Sequence, residues 1–260
     1  MKKFIANLKR YKSYMIYSAK ATLKGEVAGS RLNWLWWILD PFLFMLVYTF
    51  MALVVFGKGE PYFPLYVFIG LNMYDFFNRT VRKSVRMVKR NKSMISKVYI
   101  PKYVLIINEM IVNAFKMCVA FMLVVVMIPV YRVPLTWHVL EAIPVFLVLL
   151  LLTFGCSCII LNLGVFVSDL ANVVVVLLKL VFYMSGVFYN IQTRVPEPYN
   201  MILLYGNPIA GLLQGARNCI LYGTSPYYDM LGIWFVISVV LCIVGVRSIM
   251  KYENSYVKVI

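Results

Sequence analysis

The sequence has 260 residues, of which 62% are hydrophobic and 14% charged, with a formal net charge of +16. Soluble domains contain about 45–50% apolar and about 25% charged residues, so much of this chain must face something other than water. Its long apolar segments predict an all-α integral membrane protein, and the length leaves no room for a separate soluble catalytic domain. The basic residues cluster outside the apolar segments, which reports membrane orientation and argues against nucleic acid as a partner.

Residues 1–33 form a basic N-terminal segment that lacks the apolar core and cleavage site of a secretory signal. Four apolar residues recur there at helical spacing, with basic and polar residues opposite: Phe4, Leu8, Tyr11 and Met15. The pattern predicts an amphipathic helix in the headgroup plane, held by its apolar stripe and by anionic lipid.

Six membrane spans are predicted after this segment. Trp34, Trp36 and Trp37 precede the first span and fit the aromatic belt of a membrane interface. A short loop with Gly57, Gly59 and Pro61 separates the first two spans. The spans cover residues 35–56, 62–77 with a polar completion toward Thr80, 104–130, 139–167, 170–189 and 230–246.

The distribution of Lys and Arg predicts the orientation of these spans. Eight lie in the first 33 residues, nine between Arg79 and Lys102 and three from Arg247 onward, so one face has twenty. The opposite face has four, namely Lys58, Arg132, Arg194 and Arg217. Cytoplasmic loops carry the excess of positive charge, so both ends of the chain are expected in the cytoplasm and the number of spans is even.

The loop from residue 79 to 103 contains nine basic residues and no acidic one. One interpretation is a solvated helical extension, with Val81, Val85 and Val88 at helical spacing and basic side chains near anionic lipid. That interpretation leaves a second group of apolar residues without a role: Met94, Ile95, Val98, Tyr99 and Ile100. Exposed apolar patches usually mark a contact, so we expect a soluble partner to dock here.

Residues 190–228 are unusual for a loop on the outer face, because they hold four of the eleven prolines among apolar patches too short to span. Irregular backbone at membrane depth requires a cover of protein or a water-filled cavity. A re-entrant pair of short helices that turns near Gly206, Asn207 and Pro208 satisfies this requirement. A folded cap outside the membrane is the alternative.

Residues that could support catalysis are scarce. The single histidine, His138, lies near an outer membrane edge, and the five cysteines are expected to be apolar fillers without a metal or disulfide. No phosphate-binding G-x-x-x-x-G-K-[ST] sequence occurs. Ionisable residues within the spans are best explained by structural pairing or by a polar cavity wall: Asp40, Asp75, Glu109, Lys116 and Lys179.

Three stretches of this sequence resemble those of a known family. The first runs Gly29-Ser-Arg-Leu-Asn-Trp-Leu-Trp-Trp-Ile-Leu-Asp-Pro41, the second includes Phe76-Phe77, Asn91, Ile95 and Lys97-Val-Tyr-Ile-Pro101, and the third includes Ser185-Gly-Val-Phe-Tyr189, Asn207-Pro208, Arg217 and Tyr222-Gly223. They are similar to permease subunits of type 2 ABC exporters, in the branch that moves lipid-linked polysaccharide, O-antigen, capsule and wall teichoic acid. Asn33, Asp40 and Gly186 depart from this pattern, where Gly, Asn and Pro are expected.

The resemblance implies a permease homodimer in the bacterial cytoplasmic membrane, joined by two copies of a separate ATPase that binds ATP and Mg²⁺. It implies an N-terminal interface helix (1–33), one six-span permease domain (34–250) with a coupling region (79–103) and an outer re-entrant region (190–228), and a tail (251–260). The chain itself would bind no cofactor and catalyse no reaction. The cargo would be an undecaprenyl-diphosphate-linked glycan or teichoic acid precursor.

Three groups of residues are the predicted sites. The residues that contact the ATPase are Asn91, Lys92, Met94, Ile95, Lys97, Tyr99 and Pro101. Because sugars stack on aromatic faces, the residues of the substrate path are Trp34, Trp36, Trp37, Phe42 and Tyr48, for which interfacial anchoring is the alternative. The residues of the re-entrant region are Tyr189, Asn207, Pro208 and Arg217.

Two other classes of function stay open from the sequence. An exporter of drugs or small lipids would share the six spans. An integral-membrane enzyme acting on polyprenyl-linked sugars would need acids or histidine clustered at one membrane face, and the ten acidic residues are scattered.

Overall fold

A computed structural model of the chain describes residues 2–28, 33–51, 54, 60–167 and 169–259, and these contain helices and turns but no strand. The all-α prediction is therefore confirmed for this part of the chain. The helices are α1 (Lys2–Arg10), α2 (Lys12–Val27), α3 (Trp36–Phe50), α4 (Phe63–Val85), α5 (Met87–Arg90), α6 (Lys92–Ile95), α7 (Lys102–Val130), α8 (Ala142–Phe166), α9 (Leu170–Met184), α10 (Ile191–Arg194), α11 (Tyr199–Gly206), α12 (Pro208–Arg217) and α13 (Tyr228–Val259).

Among the described residues, three helical stretches are long and apolar enough to cross a membrane: Lys102–Val130, Trp137–Phe166 and Tyr228–Glu253. The helices α3 and α9 are apolar but shorter. The end of the predicted first span and the glycines of the loop after it lie outside the described residues. Three helices of the described residues thus have the length and apolar composition of membrane spans, and the count of six stays a prediction.

Helix α4 forms the centre of the bundle, and most of its residues are buried. It contacts α3, α7, α8, α9 and α12. The second span was predicted to end near Thr80, but the helix continues to Val85. The helical extension is therefore present. It is exposed on its basic side, and Val81, Val85 and Val88 are buried on the other side.

Close helix packing around α8 depends on glycine. A Cβ atom at Gly155 would meet the Cβ of Leu241 in α13 at 2.8 Å, and one at Gly245 would meet the Cβ of Cys158 at 2.6 Å. Small residues let membrane helices approach closely enough for dispersion contacts to hold them together. They explain why α8 and α13 pack along each other so extensively.

The N-terminal segment forms two helices, because the predicted single helix is interrupted at Tyr11. Its apolar stripe packs against the protein: the rings of Phe4 and Tyr103 are 5.0 Å apart, and Met15 is buried. The stripe therefore contacts α7, which corrects the expectation that lipid covers it.

The turn predicted in residues 190–228 is present in the structure, whereas the predicted C-terminal tail differs from the prediction. Helix α11 ends at Gly206 and α12 begins at Pro208, as predicted for the turn. Helix α12 is buried from Ile209 to Arg217 and packs on α4 and α8, which is the cover that a re-entrant pair requires. Its depth in the membrane stays a prediction. The predicted polar tail is instead the helical end of α13.

Candidate functional site

A cavity of about 900 Å³ opens between the end of α2 and helices α3, α4 and α7. It is named the basic cavity here, after the six basic side chains that line it: Arg79, Arg82, Lys83, Arg86, Arg90 and Lys116. Three acidic side chains also line it, namely Glu26, Asp40 and Asp75. A concave surface with an excess of positive charge concentrates anionic groups.

The helical period explains why so many basic residues share one side. Apart from the adjacent pair 82 and 83, residues 79, 82, 83, 86 and 90 recur at steps of three or four positions, so they form one stripe along the end of α4, the turn after it and α5. The valines at 81, 85 and 88 lie between them and face the core. The sequence pattern of this loop is therefore one buried apolar side and one basic side.

Arg79 joins the first two apolar helices through two carboxylates. It donates from Nη2 to Asp75 at 2.9 Å and to Asp40 at 3.2 Å. The side chains of Arg79 and Asp40 are 40% and 49% exposed, and ion pairs of this exposure contribute about 0–1 kcal/mol to stability. The guanidinium is thus paired and still accessible from the cavity.

A second group of charges surrounds Glu109, whose side chain is nearly buried. Lys83 donates to it at 2.5 Å, and Nη2 of Arg90 lies 3.6 Å away. Lys116 pairs with Glu26 of α2. A buried carboxylate requires such partners, since an unpaired charge is costly away from water. Glu109 and Lys116 therefore have the structural pairing that was one of the two sequence interpretations.

Aromatic side chains lie beside these charges. Trp36 and Trp37 line the basic cavity. The ring of Trp37 packs edge-on against Phe115, with centroids 5.9 Å apart, and the ammonium of Lys116 lies 5.7 Å from its centroid. Such rings present large apolar faces next to polar groups. The cavity thus combines positive charge with aromatic surface.

An adjoining cavity of about 390 Å³ lies between α3, α4 and α9. It shares Asp40, Asp75, Asn78 and Arg79 with the basic cavity. Its remaining wall is mostly aromatic and apolar, with Lys179 as an additional cation: Pro41, Phe44, Tyr48, Leu71, Tyr74, Lys179, Phe182 and Tyr183. It is named the aromatic cavity here, and Arg79 lies at the junction of the two.

Three of the five predicted path residues line these cavities: Trp36, Trp37 and Tyr48. The other two do not. Trp34 is exposed at the start of the first apolar helix, and Phe42 packs against the hydrophobic core. The ring of Tyr48 also stacks on Phe188, with centroids 3.5 Å apart.

Residues 91–101 are named the docking segment here. It consists of the short helix α6 and an irregular stretch up to Pro101, which is buried just before α7. The amide of Asn91 donates to the carbonyl of Met87 at 2.8 Å, so it fixes the turn between α5 and α6. Lys92 and Lys97 are exposed.

The apolar residues of the docking segment have different surroundings. Ile100 is buried, and Met94 and Ile95 pack partly against the core beside α7. Val98 and Tyr99 are 55% and 64% exposed. The apolar patch available to a partner is therefore smaller than the sequence predicted, because the fold itself covers the other three residues.

Tyr99 is held by both ends of the chain. Its carbonyl accepts a hydrogen bond from the hydroxyl of Tyr11 at 2.9 Å. Its own hydroxyl donates to Oε2 of Glu253 at 3.0 Å. Partial burial and the neighbouring Glu253 carboxylate raise the pKa of Tyr99 to about 12, so the hydroxyl stays protonated and remains a donor at neutral pH.

Arg217 is fully enclosed near the N-terminal end of α4. Nε donates to the carbonyl of Tyr66 at 3.1 Å, Nη1 to that of Gly186 at 2.9 Å and Nη2 to that of Val187 at 2.9 Å. Its guanidinium carbon lies 3.5 Å from the centroid of the Tyr66 ring. One side chain thus ties α12 to α4 and to the turn after α9.

The other predicted residues of the outer region support the same arrangement. The Asn207 side-chain oxygen accepts from the backbone N–H of Ile209 at 3.1 Å, and its amide donates to Ser185 at 2.9 Å. It caps the N-terminus of α12, and Pro208 occupies the first helical position, which favours proline. The carbonyl of Tyr189 accepts from the Tyr66 hydroxyl at 3.0 Å.

The sequence reasoning missed two residues, Glu26 and Glu253. Each is the one acidic residue of its basic terminal stretch, 1–33 and 247–260 respectively. Glu26 pairs with Lys116, and Glu253 pairs with Lys102 at 3.2 Å. A lone acid among many basic residues was the available signal, but its partner lies far away in the sequence.

Comparison with known proteins gives three related chains of the same name. A protein of Myxococcus xanthus named O-antigen export system permease protein RfbA is 29% identical over 213 residues, which are 82% of each chain. Two proteins of Klebsiella pneumoniae with that name are 24% and 25% identical over 92% of this chain and 91% of theirs. No family model matches the chain. The resemblance to exporter permeases is therefore confirmed by homologues over most of the sequence.

Proposed function

We propose that this chain, a homologue of O-antigen export permeases, is the membrane-spanning subunit of an ATP-driven exporter that carries a lipid-linked polysaccharide across the bacterial cytoplasmic membrane. The observation that carries the proposal is the basic cavity with Trp36 and Trp37 in its wall. A glycan linked to a lipid diphosphate combines negative charge with sugar rings. The cavity offers partners for both.

The arginines support recognition of a diphosphate. A guanidinium presents paired donors that match phosphate oxygens, and phosphate competes for the same donors as carboxylate. In the proposed mechanism the diphosphate replaces Asp40 and Asp75 as the partner of Arg79, so one anion exchanges for another. Arg82 and Arg86, both exposed and lining the cavity, add attraction for the incoming charge.

The surroundings of this site support a lipid-linked cargo. The aromatic cavity continues from Arg79 along α3 and α9, where Phe44 and Tyr183 line it. Other apolar side chains of these two helices are also exposed: Leu43, Val47, Val176 and Leu180. A polyprenyl chain requires an apolar path of this kind, since its burial from water is strongly favourable. A teichoic acid precursor on the same carrier would use the same path.

The source of energy is proposed to be a separate ATPase, present in two copies with two copies of this chain. The sequence has no phosphate-binding loop of its own. Tyr99 and Val98 present exposed apolar surface on the docking segment, and a soluble subunit that covers them would sit beside both chain termini. We place both termini and this segment in the cytoplasm because of the charge distribution.

The test is the recovery of an ATPase with the tagged protein after solubilisation in mild detergent, followed by mass spectrometry. We expect a stoichiometric subunit with nucleotide-binding motifs for the natural chain and a strong loss for Tyr99→Asp. Lys251→Ala is the matched control, since Lys251 is exposed, lies in α13 two residues before Glu253 and is outside the docking segment.

The same strains test the cargo. Cells lacking the chain should accumulate lipid-linked glycan on the cytoplasmic side and lose it from the surface. Reproducible recovery of the intact protein without any ATPase would overturn the exporter proposal. If the ATPase is recovered with the tagged protein but the deletion strain keeps normal surface glycan, the ATPase partner is supported and the glycan cargo is rejected.

A further inference from the structure

We propose that Glu253, near the end of α13, is a positioning residue that holds the docking segment in the conformation that the ATPase binds. The proposal rests on the proposed function, because it assumes that the docking segment is where the ATPase attaches. It adds the C-terminal helix as a necessary part of that interface.

Glu253 contacts the docking segment with one carboxylate oxygen and the first residue of α7 with the other. Oε2 accepts from the hydroxyl of Tyr99 at 3.0 Å, and Oε1 accepts from Nζ of Lys102 at 3.2 Å. The two donors lie on either side of Pro101, so one carboxylate holds the chain before and after the point where α7 begins. We name these three residues the terminal clamp: Tyr99, Lys102 and Glu253.

Because Lys102 and Glu253 are both largely buried, each requires the opposite charge of the other. The side chains of Lys102 and Glu253 are 3% and 12% exposed. A buried lysine that loses its carboxylate keeps an uncompensated charge, which is strongly unfavourable. Removal of the Glu253 carboxylate therefore makes the present conformation of the docking segment less stable, because the Lys102 charge stays buried without its partner.

The base of the clamp is rigid. Tyr256, one turn after Glu253, is fully buried, and its hydroxyl donates to Asn162 of α8 at 2.7 Å. Asn162 in turn donates to Ser248 at 2.5 Å. The end of α13 is thus fixed on α8, and Glu253 connects that pair of helices to the docking segment.

The N-terminal helices complete the support from the other side, since Tyr11 donates to the main-chain carbonyl of Tyr99. Tyr99 is therefore held at its backbone and at its hydroxyl while its ring stays exposed. A contact surface that is ordered before binding loses less conformational entropy when the partner docks. The clamp supplies this order.

The experiment measures the affinity of the purified ATPase for the detergent-solubilised chain, with the thermal unfolding midpoint of each variant measured in parallel. We expect Glu253→Ala and Tyr99→Phe to weaken binding roughly tenfold, the size expected for a lost hydrogen bond to a charged group. The charge exchange Lys102→Glu with Glu253→Lys should recover part of the affinity that each single change loses. Lys251→Ala should bind like the natural chain.

The outcomes separate this inference from the function on which it rests. Natural affinity in Glu253→Ala, with binding lost in Tyr99→Asp, overturns the clamp and leaves the docking segment intact. Natural affinity in Tyr99→Asp rejects the docking segment itself. If Glu253→Ala does not fold, Tyr99→Phe decides, because it removes only the hydroxyl: unchanged affinity in that variant overturns the clamp. The clamp is also overturned if the double variant with Lys102→Glu and Glu253→Lys loses as much affinity as each single change.

Discussion

Arg217 and Arg79 both bind groups of α4, near opposite ends of that helix, yet their surroundings differ. Arg217 is 1% exposed and donates to three main-chain carbonyls. The Arg79 side chain is 40% exposed and donates to two carboxylates at the junction of two cavities. The first guanidinium is enclosed by neutral acceptors, and the second is paired with charges at an open surface.

The difference indicates what each arginine can do. The carbonyls around Arg217 belong to the backbone, so they cannot leave, and a ligand has no access. The carboxylates around Arg79 belong to side chains that can rotate away, so another anion can take their place at the guanidinium. A buried cation held by backbone therefore serves the fold, whereas a half-exposed cation held by carboxylates suits an exchangeable ligand.

The largest effect that tests this comparison is expected for Arg217→Met. The change removes the arginine donor from each of three buried carbonyls. Because each lost hydrogen bond costs about 1 kcal/mol, we expect a loss of stability on the order of 3 kcal/mol. The measurement is the midpoint of thermal unfolding in detergent, together with the yield of folded protein. Arg194→Met, at an exposed arginine of the same outer region, is the control. A midpoint equal to that of the control would show that Arg217 does not hold the outer region.

A somewhat smaller effect is expected for Gly70→Ala. The added methyl group would lie 2.2 Å from Nη2 of Arg217, so the guanidinium must move away from its carbonyls. Overpacking of this kind costs about 1–3 kcal/mol. Gly232→Ala is the control, since its methyl group would meet no atom within 4 Å. An unchanged unfolding midpoint in Gly70→Ala would mean that Arg217 has room to adjust.

Charge reversal in the basic cavity should lower transport and leave the stability of the protein almost unchanged. We expect the double change Arg82→Glu and Arg86→Glu to lower export of surface glycan about tenfold, since reversing two charges weakens the attraction for an anionic cargo. Surface glycan per cell is the measurement, at matched amounts of protein in the membrane. Lys89→Glu, an exposed basic residue outside the cavity lining, is the control. Equal export in all three strains would contradict a role for the cavity charges.

The smallest effect is expected for Asp40→Asn, which introduces the residue that the family resemblance leads one to expect here. Arg79 keeps its 2.9 Å bond to Asp75, and an exposed ion pair contributes about 0–1 kcal/mol. Stability should therefore change by less than about 1 kcal/mol, and export should continue. A large drop in the unfolding midpoint would show that the Asp40–Arg79 pair is structural, like Arg217.

Local patterns predicted several elements well. The turn at Asn207 and Pro208 follows from an N-cap residue before a proline, and the structure has α12 beginning there. The stripe at Phe4, Leu8, Tyr11 and Met15 follows from the helical period, but the period does not say what covers the stripe. The structure places α7 against it, whereas amphipathicity alone favours lipid.

The sequence by itself determined that the chain is a helical membrane protein, that most of its basic residues cluster outside the long apolar segments and that its two terminal stretches carry one acid each. These properties depend on composition and on spacing within single helices. Only the tertiary structure decided that Lys116 meets Glu26, that Lys102 meets Glu253 and that Arg217 is enclosed by three carbonyls. The physical reason is that ion pairs and buried hydrogen bonds join residues from different helices, whose approach depends on the packing of the whole bundle.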